Sequence, residues 1–428
     1  MRFADAVAEL DGRQPESMPE PSLERIRAVA DLLDEPQLTY PTIHVTGTNG
    51  KTTTARLIAG LACTDGITAG LYTSPHLLSI TERMQICGEP ISEQEFGDEY
   101  EHLLPFVHMM EAQSDMRATY FETVTALAFL WFADKPVSLG VFEVGMGGTW
   151  DATNVIGGEV AVLCPVSVDH RELGDTVEEV ATEKSGIIKP GRVAVVREQV
   201  PEALAVIEAR AEDVGASILL EGRDFELTWR EPGVGGQRLS IRTPRATYED
   251  VPFALHGAHA GRNAAAALTA LEAFVDQALA DDAVREAFAT ATTPGRLEVV
   301  ARHPLVILDG AHNPAAAEAL VDAVGETFVW KRLHLVVAGF TSHDIEKVVS
   351  QLASITDRGY AASNSSPRSR SSEEIAEYLV ANDVATERFT TVADALAAAR
   401  DDAAADDLIL VTGSLYTVAD ARRAMEGA

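Results

Sequence analysis

The sequence predicts an α/β protein with two domains, a P-loop domain built on a parallel sheet and, after it, a smaller Rossmann-like α/β domain. The chain has 428 residues, which is more than one ordinary hydrophobic core accommodates. Short apolar runs alternate with helical patterns, as in βαβ units. This alternation restarts after the segment TTPGRLE at residues 292–298, so we expect domains at residues 1–293 and 294–428.

In the first domain, short runs of apolar residues predict buried parallel strands. These runs are TIHVTG (42–47), TAGLYTS (68–74), VSLGVFEVG (137–145), EVAVLCPVS (159–167) and RVAVVRE (192–198). Helical patterns lie between them, for example at residues 51–64 and 120–133. Residues 225–251 differ, because alternating residues flank Gly-Val-Gly-Gly and predict an antiparallel hairpin. Ala-rich helical sequence follows from Arg262 to about Thr290.

The second domain is predicted from a renewed series of apolar strands separated by helical sequence. Its strands are PLVILDG (304–310), LHLVVAGF (333–340), GYAAS (359–363) and DLILVTGS (407–414).

The charge balance excludes some classes of partner. The chain has 66 acidic residues against 34 basic ones, a formal net charge of −32. Such an acidic surface repels nucleic acid and anionic membranes. Only six residues are Lys, and the excess of acid with so few Lys indicates a protein that stays hydrated in the cytoplasm of a halophile.

Cysteine usage and the N-terminal sequence bear on the cellular compartment. Cys63, Cys87 and Cys164 are widely spaced and form no CxxC or metal-ligand pattern, so we expect neither a disulfide framework nor a zinc site. The N-terminal segment MRFADAVAELDGRQ is acidic and lacks the apolar stretch of a signal peptide. No apolar run reaches the length of a transmembrane helix. These features predict a cytoplasmic protein.

The segment HVTGTNGKTTT has the residues of a phosphate-binding loop. A strict Walker A motif would have Gly where this chain has Val45, so the strict form is absent. Gly47 and Gly50 still allow backbone N–H groups to point inward, and Lys51 and Thr52 open a helix whose N-terminus stabilises anions. The alternative is a Gly-rich turn that binds no ligand.

Two further strand ends offer candidate metal ligands. Glu143 ends an apolar strand, where α/β sheets bind ligands, and its carboxylate suits Mg²⁺. A solvated acid in a turn is the alternative for this residue. His170 follows the next strand, and a lone His is more often structural. The prediction that Thr52, Glu143 and His170 meet at one crevice makes a metal site the stronger interpretation.

Ten motifs follow one another along the chain and together carry a resemblance. They are TGTNGKTT, YTSPHL (72–77), ERMQICGEPIS (82–92), FEVGMGGTWDATNV, DH (169–170), EKSGIIKPG (183–191), HGAHAGRNAAAAL (256–268), PGRLE (294–298), LDGAHNP (308–314) and TGSLY (412–416). The chain resembles the folylpolyglutamate synthase and dihydrofolate synthase family of the Mur ligase superfamily over nearly its whole length. TSPHL and EKSGIIKPG are the motifs more specific to the folate branch. The resemblance implies a Mur-ligase-like P-loop domain followed by a C-terminal glutamate-ligase domain.

The resemblance also implies which residues bind ATP and Mg²⁺. The implied ATP contacts are Gly47, Thr48, Asn49, Gly50, Lys51, Thr52, Thr53, Asn263, Arg296 and Asp309. The implied Mg²⁺ ligands are Thr52, Ser74, Glu143 and His170. Lys184 matches a lysine that is often carbamylated in the family, and a plain Lys that neutralises phosphate is the alternative.

Substrate contacts and catalytic roles are implied in the same way. The pterin or folate is expected near Ser74, Pro75, His76, Arg83 and Asp151, and L-glutamate near His312 and Ser414. The residues expected to carry catalysis are Lys51, Lys184, Asp309 and His312. ATP and Mg²⁺ are the expected cofactors, with K⁺ as a further candidate, and the resemblance favours a monomer.

The implied reaction joins L-glutamate to the carboxylate of dihydropteroate or a folate. The carboxylate attacks the γ-phosphate of ATP and forms an acyl phosphate, from which the glutamate amine then displaces phosphate. Shielding this intermediate from water favours a site between two domains that close. Asp309 and His312 are both candidates to orient or deprotonate the amine, and the sequence does not choose between them.

Alternatives and departures from the family pattern remain. One alternative is a Mur-type ligase with another carboxylate acceptor, and another is a P-loop ATPase switch, which leaves the DGAHN and TSPHL segments without a purpose. Thr149-Trp150 stands where the family often has Arg-Leu, and Ser342-His343-Asp344 stands where it often has Asp-Lys-Asp.

Overall fold

The computed structural model describes residues 1–16, 18, 20–168, 171–340 and 344–427, which form two compact units. The first unit comprises Met1–Trp229, Leu239–Phe253 and Arg262–Ala291. The second comprises Arg230–Arg238, Ala254–Gly261 and the chain from Thr292 onward. Two short segments before Thr292 thus group with the second unit.

The first unit is built on an eight-stranded sheet in the order β4-β3-β2-β5-β1-β6-β7-β8. These strands are β1 (Thr42–Thr46), β2 (Ala69–Tyr72), β3 (Met84–Ile86), β4 (Glu89–Pro90), β5 (Leu139–Glu143), β6 (Val160–Leu163), β7 (Val193–Val196) and β8 (Ser217–Leu220). The accompanying helices are α1 (Phe3–Asp11), α2 (Glu24–Leu32), α3 (Lys51–Thr64), α4 (Glu93–Gln113), α5 (Tyr120–Asp134), α6 (Val177–Ser185) and α7 (Pro201–Asp213). The five strands and both helices predicted here are confirmed.

The centre of this sheet is parallel, and β1 lies between β5 and β6. Val45 of β1 pairs with Glu143 of β5, and Thr46 pairs with Leu163 of β6. Strands β2 to β5 lie on one side of β1, and the later strands β6 to β8 lie on its other side. The carboxyl end of β1 therefore lies at a topological switch point. The loops after β1, β5 and β6 are therefore neighbours.

One large apolar core packs under this sheet against α1, α2, α4 and α5. Its aromatic centre is formed by Phe129 and Phe132 of α5 against Phe142 of β5, with ring centroids 5.4 Å and 5.7 Å from that of Phe142. All three side chains are almost fully buried. This packing fixes β5 and with it the position of Glu143 at the strand end.

A three-stranded sheet follows, in the order β11-β10-β9. Its strands are β9 (Glu226–Gly233), β10 (Gly236–Arg242) and β11 (Thr247–Phe253). The predicted hairpin around Gly-Val-Gly-Gly corresponds to β9 and β10, with Val234 fully exposed between them. The predicted Ala-rich helical stretch is divided between α8 (Ala258–Val275) and α9 (Asp281–Ala289).

The second unit contains a six-stranded sheet in the order β12-β13-β17-β14-β15-β16. Its strands are β12 (Glu298–Arg302), β13 (Leu305–Leu308), β14 (Leu333–Val337), β15 (Arg358–Ala361), β16 (Ala385–Arg388) and β17 (Leu408–Thr412). Its helices are α10 (Pro314–Thr327), α11 (Ile345–Ala353), α12 (Ser372–Ala381), α13 (Val392–Asp402) and α14 (Leu415–Glu426). The strands from β13 to β16 pair in parallel, and β12 is antiparallel to β13. The predicted Rossmann-like domain is confirmed.

The expectation that the cysteines form no disulfide is wrong for one pair. Cys63 near the end of α3 is bonded to Cys87 in the turn between β3 and β4. The two residues are 24 positions apart in sequence and become neighbours only because β2 and β3 pair beside α3. Cys164 is buried as a free thiol. Sequence spacing alone could not show this proximity.

No helix within the described ranges is long and apolar enough to cross a membrane. This agrees with the absence of long apolar runs in the sequence.

Candidate active site

The phosphate-binding loop connects β1 to α3 and has two positions that only glycine fits. Gly47 has a φ of +143°, and a Cβ there would lie 2.5 Å from the Cβ of Cys164. Gly50 has a φ of +93°, and a Cβ there would lie 2.9 Å from Oδ1 of Asn263. The loop backbone is thus held close to the end of β6 and to α8, while α3 begins directly at Lys51.

Two lysine ammonium groups converge on this loop. Nζ of Lys51 donates to the carbonyl oxygens of Gly47 and Thr48 at 2.9 Å and 3.2 Å. Nζ of Lys184, a buried residue of α6, donates to the same Gly47 oxygen at 3.1 Å. Two positive charges beside a helix N-terminus form a region that a polyphosphate would neutralise. The structure therefore brings together two of the predicted catalytic residues.

Thr48 anchors the loop to the neighbouring strand. Its N–H donates to the oxygen of Pro165 at 2.9 Å, and its Oγ1 donates to the oxygen of Ser167 at 2.9 Å. The side chain of Thr48 is thereby held by the segment that follows β6. Asn49 lies half-buried in the loop, and Thr53 is buried in the first turn of α3.

A hydroxyl and a carboxylate meet beside the loop. Oγ1 of Thr52 donates to Oε1 of Glu143 at 2.7 Å, and the N–H of Ser74 donates to Oε2 of the same carboxylate at 3.3 Å. Glu143 is 1% exposed, so its charge is concentrated in this cluster. Oxygen ligands of this kind suit Mg²⁺. His170, the fourth predicted ligand, lies outside the described residues, as does His343.

A buried ion-pair network supports the loop from behind, and sequence reasoning missed it. Arg197 donates to Oδ1 of Asn263 and, through Nε, to Oε2 of Glu221 at 2.8 Å. Arg262 donates to the other oxygen of Glu221 at 2.6 Å. Burial raises the pKa of Glu221, but the two guanidinium groups outweigh it and the net shift is downward. Arg262 and Asn263 lie in the motif HGAHAGRNAAAAL, but no motif identifies Arg197 and Glu221 as their partners, because these residues are far from it in sequence.

The predicted acceptor loop follows β2 and is held by one carboxylate. The Ser74–Pro75 peptide bond is cis. Glu82 accepts hydrogen bonds from the N–H groups of Leu77 and Leu78, each at 2.8 Å. It also accepts from the N–H of Ser79 at 2.9 Å. This loop therefore has a defined backbone on which the side chains of His76 and Arg83 are presented; Arg83 donates to His76.

Asp151 is buried and fully bonded to its own loop. Its carboxylate accepts from the N–H of Met146 at 2.9 Å, and from the N–H and Oγ1 of Thr153 at 3.0 Å and 2.5 Å. Oγ1 of Thr153 also lies 2.8 Å from Nε2 of His44 in β1. Burial raises the pKa of Asp151 to about 6, against the opposing effect of these hydrogen bonds. His44 and Thr153 were not predicted from the sequence.

In the second unit, Asp309 follows β13 and accepts hydrogen bonds from the backbone. Oδ2 accepts from the N–H of Leu297, and Oδ1 from that of Ala311, both at 2.7 Å. Burial raises the pKa of Asp309, and the nearby charge of Arg296 partly offsets this. Arg296 also lies against Gly310, where a Cβ would be 2.9 Å from NH1. The structure thus places two predicted residues beside each other.

His312 and Ser414 differ in how far their side chains are committed to the fold. Nδ1 of His312 lies 2.9 Å from the oxygen of Gly310, and its ring is half-buried. Ser414 is the N-cap of α14, and its Oγ accepts from the N–H of Thr417 at 3.1 Å. Asn364, which was not predicted, donates to the same Oγ at 3.2 Å. Ser414 therefore has a structural role as a helix cap.

Comparison with known proteins matches both units to one superfamily. Residues 45–271 match the Mur ligase middle domain, and residues 295–415 match the Mur ligase glutamate ligase domain. The dihydrofolate synthase/folylpolyglutamate synthase of Mycobacterium tuberculosis is 40% identical over 96% of this chain and 92% of its own length.

Solved structures agree with this match. The M. tuberculosis folylpolyglutamate synthase complexed with ADP has a TM-score of 0.94 and 38% identity, covering 99% of this chain and 98% of that one. The Escherichia coli FolC in complex with DHPP and ADP has a TM-score of 0.89 and 31% identity, covering 100% and 98%. With fold, loop and both domain matches in agreement, the chain belongs to the dihydrofolate synthase/folylpolyglutamate synthase family of Mur ligases.

Proposed function

We propose that this chain is an ATP-dependent ligase that joins L-glutamate to the carboxylate of dihydropteroate or a folate and releases ADP and phosphate. The observation that carries the proposal is the Thr52–Glu143 cluster beside Lys51 and Lys184, in a chain whose second unit matches a glutamate ligase domain. A phosphate site alone would also suit a nucleotide-driven switch. The match of residues 295–415 to a glutamate ligase domain favours a ligase, because a nucleotide-driven switch has no amino-acid substrate.

The phosphate is needed to activate the acceptor. Near neutral pH a carboxylate does not react with an amine, because oxide would have to leave. In the proposed first step a carboxylate oxygen attacks the γ-phosphorus, the bond to the β–γ bridging oxygen breaks, and ADP leaves. Lys51, Lys184 and the loop N–H groups stabilise the transferred charge. The amine nitrogen then attacks the acyl carbon, and phosphate leaves with the carbon–oxygen bonding pair.

The residues present fit a magnesium ion. The Glu143 carboxylate and the Thr52 hydroxyl are hard oxygen donors next to the loop, and Ser74, whose N–H donates to the same carboxylate, brings a second hydroxyl. We propose these residues as its protein ligands. When bound, Mg²⁺ supplies additional positive charge to the phosphates.

His312 is the better candidate for the base that receives the amine proton. Both oxygens of Asp309 already accept backbone N–H groups, so this carboxylate is committed to the loop. The oxygen of Gly310 can only accept, so Nδ1 of His312 carries the hydrogen between them. Nε2 of His312 then has the lone pair that a base requires.

The acceptor class is supported by the relatives. The E. coli relative was solved with DHPP and ADP, and the M. tuberculosis relative with ADP. In this chain the candidate acceptor contacts are Ser74, Pro75, His76 and Arg83 after β2, and buried Asp151 shapes its own loop through its hydrogen bonds to Met146 and Thr153. We further propose that the protein works at high salt, on the grounds of its net charge of −32. A monomer, which the family resemblance favours, and a cytoplasmic location, expected from the N-terminal sequence, are proposed with it.

The test is glutamate incorporation by the purified chain in concentrated KCl. ATP, Mg²⁺ and radiolabelled L-glutamate are offered with dihydropteroate or tetrahydrofolate, and we expect incorporation and ADP release with at least one acceptor. Lys51→Ala should abolish turnover while the circular dichroism spectrum persists. Lys135→Ala, on an exposed Lys paired with Glu95, is the matched control and should be fully active. Incorporation with neither acceptor would contradict the proposal.

A further inference from the structure

Arg56 lies on α3, one helical turn after Thr52, and differs from the fully buried arginines of the first unit. Each of those forms an ion pair with a carboxylate, and the pairs are Arg25–Glu122, Arg83–Glu16 and Arg197–Glu221. Nε of Arg56 is also buried, but it has no hydrogen-bond partner among the described residues. The chain has 66 acidic residues, so a shortage of carboxylates does not explain this difference.

The position of Arg56 on the helix directs its guanidinium toward the site. Residues four positions apart share one face of a helix, so Arg56 lies on the same face as Thr52. Helical side chains are inclined toward the helix N-terminus, which for α3 is the end that carries the phosphate-binding loop. Because α3 packs against β2 and β5, this face borders the strand that leads into the acceptor loop.

Two carboxylates act on Arg56 without binding it. Burial lowers the pKa of Arg56, and the charges of Glu143 and Glu82 offset this only in part. Both carboxylates have other partners. Glu82 accepts three N–H groups of the acceptor loop, and Glu143 accepts from the Thr52 hydroxyl and the Ser74 N–H. Arg56 is therefore a cation near both the acceptor loop and the Thr52–Glu143 cluster, and no described residue accepts a hydrogen bond from it.

We propose that Arg56 binds the carboxylate of the acceptor, the group that attacks the γ-phosphate. This rests on the proposed function, in which a carboxylate must lie between the acceptor loop and the phosphate-binding loop. A guanidinium has a planar fork of N–H groups that matches the two oxygens of a carboxylate. It would also reduce the repulsion between two anions that have to meet. Lys51 and Lys184 are both bound to the oxygen of Gly47 on the phosphate side, so the acceptor side needs a cation of its own.

Two other roles for Arg56 predict different measurements. An arginine that only supports the fold would affect all acceptor-like ligands equally when it is replaced. An arginine that binds the γ-phosphate would affect the affinity for the ATP analogue AMPPCP and leave the affinity for the acceptor unchanged. Only an arginine that binds the acceptor carboxylate would affect a charged acceptor more than its neutral analogue.

The test compares dihydropteroate with its carboxamide, which has nearly the same size and no negative charge. Calorimetry in concentrated KCl gives both dissociation constants for the unsubstituted protein and for Arg56→Met, which keeps an apolar side chain and removes the guanidinium. We expect the preference for the acid over the amide to fall about thirtyfold, the loss of a two-point charge-assisted hydrogen bond. The dissociation constants of ADP and AMPPCP should be nearly unchanged.

Arg192→Met is the matched control. Arg192 directly precedes β7, at the amino edge of the sheet, opposite the edge that carries the phosphate-binding loop. It pairs with Glu159 at 3.2 Å, and its side chain is 47% exposed. The control removes the same charge and should leave the preference for the acid unchanged. A melting curve of Arg56→Met should show no loss of thermal stability, because the guanidinium has no hydrogen bond within the protein to lose.

An unchanged preference for the acid in Arg56→Met would overturn the proposal. An equal loss of affinity for acid and amide, or a lower melting temperature, would overturn it in favour of a structural role. Weaker binding of AMPPCP with the preference intact would overturn it in favour of the γ-phosphate, and an equal fall in preference in Arg192→Met would show a general charge effect. These outcomes concern Arg56 alone. If the unsubstituted protein bound neither dihydropteroate nor tetrahydrofolate, the proposed function would fail and the role of Arg56 with it.

Discussion

Glu143 and Asp309 occupy equivalent places in the two units and are bonded in different ways. Each is a buried carboxylate at the carboxyl end of a parallel strand, β5 for Glu143 and β13 for Asp309. Glu143 accepts from a side-chain hydroxyl, that of Thr52, and from one N–H, that of Ser74. Asp309 accepts from two backbone N–H groups, those of Leu297 and Ala311.

The difference shows that position in the sheet does not fix the role of a carboxylate. The Glu143 carboxylate joins the end of β5 to Thr52 after β1 and Ser74 after β2, and it is one of the magnesium ligands proposed above. Asp309 uses both oxygens to shape the turns around β13, so its main effect is on the conformation of the segment that presents Arg296 and His312. The first carboxylate is expected to matter for chemistry and the second for both chemistry and stability.

The largest expected effect is on turnover in Glu143→Gln. The amide keeps an acceptor for Thr52 but removes the negative charge, so kcat should fall about a thousandfold. Thermal stability should change little, because neutralising a buried charge offsets the loss of the 3.3 Å hydrogen bond from the Ser74 N–H. Glutamate-dependent ADP release and a melting curve measure the two quantities. A large loss of stability with little loss of activity would show that Glu143 is mainly structural, contrary to the role expected for it here.

Asp309→Asn should affect both quantities. The amide nitrogen of Asn cannot accept from a backbone N–H, so one buried donor loses its partner, at a cost of about 1–3 kcal/mol. Turnover should fall about a hundredfold, since the turn that carries His312 is disturbed. Urea unfolding followed in parallel with kinetics checks this. Unchanged stability would show that Asp309 does not shape the turn.

Removal of the disulfide should affect the first unit alone. Cys63→Ser with Cys87→Ser opens a closed segment that includes β2 and the acceptor loop. Loop-closure entropy predicts a loss of about 3 kcal/mol for a segment of this length. Hydrogen exchange should increase around Ser74 and remain unchanged around Asp309. As a control, a dithiol should lower the melting temperature of the unsubstituted protein but not that of the double variant. An equal decrease in both proteins would contradict the presence of the Cys63–Cys87 disulfide.

The smallest expected effect is the pH dependence contributed by Asp151, a third buried carboxylate. Its pKa of about 6 in the folded state lies above the ordinary value of 3.8, so the folded protein binds this proton more tightly than the unfolded chain. The stabilisation is complete at acidic pH below the ordinary value and is lost as pH rises through about 6. Between pH 5 and pH 8 the protein should lose roughly 1.5 kcal/mol relative to Asp151→Asn. If the stability difference between the unsubstituted protein and Asp151→Asn were the same at pH 5 and pH 8, the raised pKa of Asp151 would be contradicted.

The sequence predicted the parts of the site that short motifs encode. Gly47, Gly50, Lys51 and Thr52 stand next to one another in the chain, and their roles follow from backbone freedom and charge. The position of Glu143 could be predicted because it ends an apolar strand, at the carboxyl edge of the parallel sheet. These inferences need only local sequence and the rule that parallel strands share a ligand-binding edge.

Contacts between distant segments could not be predicted in this way. Glu16 reaches Arg83 across 67 positions, and Arg197 reaches Asn263 across 66. The disulfide was missed for the same reason. Cysteine spacing gives no sign that α3 and the β3–β4 turn are neighbours. Such pairings depend on the three-dimensional arrangement, which a single sequence does not display.

The close approach of Gly47 to Cys164 has a consequence for how this enzyme family can diversify. The outer wall of the nucleotide loop is a residue that no ligand needs to touch, since Cys164 is buried at the end of β6. A larger side chain at position 164 would contact the backbone of Gly47 and displace the loop. Phosphate binding by the loop is therefore open to change by substitutions at position 164, which lies outside the glycine-lysine motif.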